Sequence, residues 1–141
     1  MLKRITLFLL VLLVSLSLFV PVSFASDLDD FIVTPMWTYI HLVECGLNID
    51  SGGQAAMVSY MNCYQGVVDK IVMNNYLQRY VNGSWTTVAS WSKTTYGTSA
   101  EWLKSYYVTS GYLYRLRTYF YAYYGSSIIE TTSLTSGIDS Y

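Results

Sequence analysis

Apolar positions along this chain fall into two regimes. From Ile5 to Val20 they are nearly continuous, broken only by Thr6, Ser15 and Ser17. Beyond residue 36 they alternate with polar positions, the period-two pattern of strands with one buried face. Val43, Cys45, Leu47 and Ile49 share a face, and so do Ala55, Met57, Met61 and Cys63. Asp50-Ser51-Gly52-Gly53 lies between these runs and reads as a turn, because glycine reaches positive φ without steric cost. Further strands are predicted over 69–81, 84–93, 102–108, 112–124 and 127–136, in addition to 37–49 and 54–64. In the 112–124 run, Tyr112, Tyr114, Leu116, Thr118, Phe120 and Ala122 fall on one side. Leu113, Arg115, Arg117, Tyr119, Tyr121 and Tyr123 fall on the other, and the two guanidiniums mark that side as solvated. No window past residue 26 keeps a helical period for three turns. Seven short strands punctuated by turn residues predict an all-β fold, an antiparallel two-sheet sandwich.

The hairpin over 69–93 carries the strongest local signal. Asn82-Gly83 between β-rich runs predicts a two-residue type I′ turn, which needs positive φ at both central residues. That turn sets Tyr80 opposite Trp85, Leu77 opposite Val88 and Tyr76 opposite Ala89. One face then carries Tyr76, Tyr80, Trp85, Ala89 and Trp91, and the other carries Leu77, Val81 and Val88 with Arg79 and Thr86. The pattern leaves open which of these faces is buried.

The continuous apolar run has a different meaning. Lys3 and Arg4 precede it, Pro21 ends it, and Ser23-Phe24-Ala25 supplies small residues at the positions a signal peptidase reads. Charged start, apolar helical middle and small-residue exit predict a secretory signal over residues 1–25, cleaved after Ala25. An uncleaved membrane anchor is the rival reading, but the run is short of the roughly 20 residues a spanning helix needs. Residues 26–36 form an acidic lead-in with Asp27, Asp29 and Asp30. The sandwich domain follows over 37–136, with a tail at 137–141.

Export changes how the cysteines are read. Cys45 and Cys63 are the only two, and an even count in an exported chain predicts a disulfide closing a loop of 17 residues. Such a loop is worth about 3 kcal/mol by chain entropy. The pairing is not symmetric about the Gly-Gly turn, so a bulge or a wider loop is expected with it. Six basic and nine acidic residues past the signal leave a charge of −3, which argues against a nucleic-acid partner.

The hairpin residues Tyr76-Leu77-Gln78-Arg79, Asn82-Gly83-Ser84-Trp85, Val88 and Trp91, followed by Gly111-Tyr112-Leu113-Tyr114-Arg115-Leu116-Arg117, carry two resemblances. Their order and rhythm resemble the middle hairpin and penultimate strand of fibronectin type III-like and immunoglobulin-like sandwiches. That resemblance implies a tyrosine-rich penultimate strand packed into the core. The cysteine spacing departs from the immunoglobulin pattern. The run Leu-Gln-Arg, Asn-Gly-x-Trp, then Gly-Tyr-x-Tyr-Arg behind a signal resembles a family of short exported proteins of Gram-positive bacteria, of unknown function. It implies secretion and a β fold, and carries no catalytic residues to transfer.

Chemistry-bearing residues are few. His41 is the sole histidine, and no neighbouring Ser, Cys or acid completes a nucleophilic arrangement with it. Among the acids, only Glu44 and Glu130 sit mid-strand, where a glycosidase-type carboxylate pair would stand. No metal-ligand spacing and no cofactor motif is present, and the chain is read as not an enzyme. Asn82-Gly83-Ser84 matches a glycosylation sequon, but the turn already accounts for it. The unusual feature is the aromatic load, fifteen tyrosines and four tryptophans. Aromatic side chains desolvate well and keep a polar tip. Arg115, Arg117, Tyr119, Tyr121 and Tyr123 are therefore the candidate binding face. The expected function is a secreted, non-enzymatic module for a cell-wall glycan or protein. The alternative is a secreted toxin-like protein acting on cell envelopes.

Overall fold

The computed structural model describes residues 36–141. The expected signal peptide and residues 26–35 of the lead-in lie outside the described residues. Eight strands follow in order: β1 (Ile40–Ile49), β2 (Gln54–Cys63), β3 (Lys70–Val81), β4 (Ser84–Tyr96), β5 (Ser99–Tyr107), β6 (Leu113–Tyr124), β7 (Ser127–Thr135) and β8 (Asp139–Ser140). All pairings are antiparallel. The smaller sheet has the order β1-β2-β5, and the larger β4-β3-β6-β7 with β8 paired to the start of β6. The all-β, two-sheet expectation holds.

The two inner faces interdigitate as their alternation dictates. The smaller sheet contributes Val43, Ala55, Met57, Met61, Cys63, Ala100 and Trp102, all buried. The larger contributes Ile71, Met73 and Leu77 from β3 and Tyr114, Leu116, Phe120 and Ala122 from β6, also buried. A polar knot sits among them. Asn75 Oδ1 accepts from the Ser59 hydroxyl at 2.7 Å and from the Thr118 hydroxyl at 2.8 Å. Ser59 is on β2, Asn75 on β3 and Thr118 on β6, so the knot joins both sheets where water is excluded. The three oxygens of the knot satisfy one another, while Asn75 Nδ2 is buried with no partner among the described residues.

Tyr114 closes one end of the sandwich. Its ring is buried, its hydroxyl donates to the Thr109 carbonyl at 2.7 Å and accepts from the Thr109 N–H at 3.1 Å. This bond back to the backbone just upstream is a tyrosine corner. It pins the connection that crosses from β5 in one sheet to β6 in the other.

The expected disulfide does not form, and both cysteines are free. Register is the reason. Cys45 lies opposite Ser59, whereas Cys63 lies opposite Ile40 at the other end of β1. A bulge does occur in this hairpin, but it falls between Ile40 and Leu42 and cannot bring the cysteines together. They stand about four residues apart along the strands, roughly 13 Å at strand rise, well beyond the reach of a disulfide.

The 69–93 hairpin turns where expected, with Asn82 at φ 50° and Gly83 at φ 82°. Tyr80 pairs with Trp85 as read from the turn. A bulge between Leu77 and Gln78 then inserts Val88, so Leu77 pairs with Ala89 and Tyr76 with Ser90 instead of the expected partners. The inserted residue reverses the facing of the rest of β4. Tyr76, Tyr80 and Trp85 stay outside with the even positions of β3. Ala89 and Trp91 turn inward with buried Leu77, and Trp91 meets Trp102 of the other sheet at 5.6 Å between ring centroids.

The tail expected at 137–141 contains β8. Tyr141 accepts from the backbone N–H groups of Gly111 and Tyr112, and its ring fills the space a side chain at Gly53 would need. Gly53 has φ 79°, so glycine is required there on both counts.

Tyr114→Phe removes the hydroxyl from the corner and should lower unfolding free energy by about 1–2 kcal/mol, read from urea titration. Burial, helped by the Glu130 carboxylate, pushes the Cys63 thiol from an ordinary 9.0 up to about 11. The folded state holds a proton there that the unfolded state releases. The associated stability is full below about pH 9 and is lost as pH rises toward 11. Native protein should resist thiol alkylation near neutral pH, both cysteines should react on unfolding, and reductant should leave the melting temperature unchanged. Stability of a Cys63→Ala variant should fall less steeply across that alkaline window.

Candidate functional site

The outward residues of β6 stand in rows with those of its neighbours because antiparallel partners share a face. Arg115 lines up with Gln78 and Thr87, Arg117 with Tyr76 and Ser90, and Tyr119 with Asn74 and Ser92. Tyr121 follows with Val72 and Thr94, then Tyr123 with Lys70. On the other flank β7 adds Thr135 beside Arg117, Ser133 beside Tyr119 and Thr131 beside Tyr121. The outer face of the larger sheet is thus a central band of rings and guanidiniums between two margins of small hydroxyls.

Side-chain contacts order the band. The Arg115 guanidinium lies 4.2 Å above the Trp85 ring, and its Nε donates to Gln78 Oε1 at 2.8 Å. Arg117 lies 5.1 Å from the Tyr119 ring, and Tyr119 meets Tyr76 edge-on at 5.8 Å. Lys70 sits 4.0 Å over Tyr123 at the far end. Each cation is drawn to the negative face of a ring, which holds both in place. Arg117 Nε is buried and has no hydrogen-bond partner among the described residues.

Between these groups is an open concavity of about 340 Å³, lined by Tyr76, Gln78, Thr87, Tyr119 and Tyr121. A second, of about 200 Å³, lies beside it along Asn74, Tyr76, Ser90, Trp91 and Ser92. Tyr76 is common to both. Of the residues singled out in the sequence, Tyr119 and Tyr121 line the larger hollow, and Arg115 and Arg117 are outward neighbours of its lining. Tyr123 stands apart, under Lys70. Tyr76, Gln78, Thr87 and Trp85 were not assigned to the face by sequence. Their signal was the aromatic side of the 69–93 hairpin, whose outward orientation became readable only with the burial of Leu77.

The carboxylates are engaged elsewhere. Glu130 accepts from three backbone N–H groups, those of Thr38 at 2.7 Å and of Tyr39 and Ile40 at 2.8 Å. Asp139 accepts from the Ile49 N–H at 2.7 Å, Asp69 from Gly125, and Asp50 caps its own turn. Glu44 and Glu101 flank Tyr60 on the outer face of the smaller sheet. Glu44 and Glu130 therefore belong to different faces and do not form a facing pair. Among the described residues, no carboxylate lies on the outer face of the larger sheet, and no cluster of three metal-ligating side chains occurs. His41 is the inserted residue of the β1 bulge, exposed and tilted against Tyr64 at 5.1 Å.

No family model matches the sequence, and no curated protein matches it. Among solved structures the chain is similar to a beta-galactosidase chain from Bacteroides fragilis, with a TM-score of 0.42 and 11% identity. The likeness covers 66% of this chain and 15% of that one. This chain thus corresponds to a small part of that protein's length.

Glu130 serves the fold through its three backbone bonds. Glu130→Ala leaves three backbone donors without their charged acceptor and should cost about 2–3 kcal/mol of unfolding free energy in urea titration.

Proposed function

We propose that this protein is an exported recognition module of fibronectin type III-like build that binds a cell-wall glycan or protein without catalysing a reaction. The strand order β1-β2-β5 over β4-β3-β6-β7 and the Tyr114 corner support the architectural part of this reading. The apolar run and small-residue exit of residues 1–25 support export. The observation that carries the binding role is the hollow between Tyr76, Gln78, Thr87, Tyr119 and Tyr121.

That hollow has the two features a binding site needs. Its walls are tyrosine rings, which offer a large contact area at low entropic cost and a hydroxyl to orient a ligand. Its floor is the central pair of strands, whose inward residues are fully buried, so the rings stand on a rigid base. Its volume falls at the small end of the range for ligand pockets. Catalysis has less to build on at the hollow, because Asp50, Asp69, Glu130 and Asp139 are held in backbone contacts, and Glu44, Glu101 and His41 lie on the other sheet.

The test is retention on insoluble wall material. The wild-type protein should co-sediment with purified cell walls. A Tyr119→Ala/Tyr121→Ala variant that keeps its native near-ultraviolet circular dichroism should lose most of that retention. Equal retention of both proteins, or none of either, rejects the reading.

A further inference from the structure

We infer that the ligand of this face is an acidic polysaccharide, one whose repeat carries phosphate or carboxylate groups; the inference rests on the recognition role just proposed. Charge is distributed unevenly over the described residues. Six acids and six cations are present, yet Arg115 and Arg117 stand on the outer face of the larger sheet with no carboxylate beside them, and only Lys70, at the far end, shares Gly125 with Asp69. The acids that could have neutralised that face are committed to backbone N–H groups or stand on the opposite sheet. This face is therefore cationic although the described residues carry as many acids as cations.

The guanidiniums are placed for anions rather than for solvent. Arg115 is fixed in plane by Gln78 and by the Trp85 ring beneath it. Arg117 is held against Tyr119 and retains a buried Nε–H with nothing to receive it among the described residues. That Nε–H is closed to any ligand, so anion recognition falls to the remaining N–H groups of the two guanidiniums. Phosphate and carboxylate suit those groups best, because their paired oxygens match a planar guanidinium. The two side chains stand about 6.6 Å apart along one strand face.

The surroundings specify a sugar as the carrier of that charge. Tyr76 and Tyr119 present ring surface next to Arg117, suited to the apolar face of a pyranose. Thr87 and Ser90 on one side, and Ser133 and Thr135 on the other, supply hydroxyls at the margins. A peptide would need pockets for alternate side chains or a free strand edge. Here the groups lie across the middle of a sheet, where the backbone is already paired.

Titration calorimetry with three polymers tests this: poly(glycerol phosphate), polygalacturonate and neutral dextran. Binding to one or both acidic polymers and not to dextran is the expected result, and the pair of acidic probes separates phosphate from carboxylate preference. Arg115→Gln/Arg117→Gln should weaken that binding about tenfold or more. Arg115→Lys/Arg117→Lys, which keeps charge but not the planar guanidinium, should fall between. Raising ionic strength about tenfold should weaken the wild type and leave the Gln variant little changed. Dextran bound as well as the acidic polymers, or acidic polymers bound equally by wild type and Gln variant, overturns the inference. So does equally tight binding of duplex DNA, which would mark a general polyanion surface. Failure on all three polymers by a protein that still sediments with cell walls also overturns it and leaves the recognition role intact. Failure on both polymers and walls rejects the recognition role itself.

Discussion

Strand β6 carries a constraint that everything else inherits. It is hydrogen-bonded to β3 on one side and to β7 and β8 on the other, and its inward residues Tyr114, Leu116, Thr118, Phe120 and Ala122 are all essentially inaccessible. Side chains on a strand alternate with a period of two, so this inward set dictates the outward one. Arg115, Arg117, Tyr119 and Tyr121 share a face because a slip by one residue would bury two guanidiniums and expose a phenylalanine and a leucine. Burying an unpaired guanidinium costs several kcal/mol, so the register has no close competitor. The composition of the outer face is thus specified by the core beneath it.

That coupling explains which parts of the molecule were legible in the sequence. The faces of β6 could be read because hydrophobic burial and charge agree residue by residue. The β3–β4 turn could be read because Asn82-Gly83 satisfies a backbone requirement few other pairs meet. The bulge at Val88 could not, since an inserted residue has no composition of its own. Its effect was large, because it sent Trp91 inward toward Trp102 and left Tyr76 and Trp85 outside. The site was therefore half visible: the β6 residues from their own alternation, the β3 and β4 residues only once the insertion was known.

The cysteines show the same lesson in another form. Their shared face was apparent from spacing, but their separation along the hairpin depends on how the strands pair on either side of residues 50–53. In the structure that pairing gives Cys45 a different use. Its thiol lies 3.5 Å from Thr118 Oγ1 and 3.6 Å from the Leu116 carbonyl, at the margin of the Ser59–Asn75–Thr118 knot. Burial raises its pKa, so the neutral thiol packs there as a small, weakly polar filler. The knot offsets the loss of a covalent link by orienting β2, β3 and β6 across the sheets. Long-range contacts of this kind, like the grip of Glu130 on residues 90 or more positions away, leave no local pattern to read.

That grip has a mechanical consequence. The first backbone groups of the domain are seized by a carboxylate on β7, which belongs to the opposite sheet from β1. Tension entering at Thr38 is passed across the sandwich before it reaches the β1–β2 ladder. The ladder is spared from opening one rung at a time, and the two layers must slide against each other for the domain to yield. A domain pulled from its leading end would resist rupture through this single side chain.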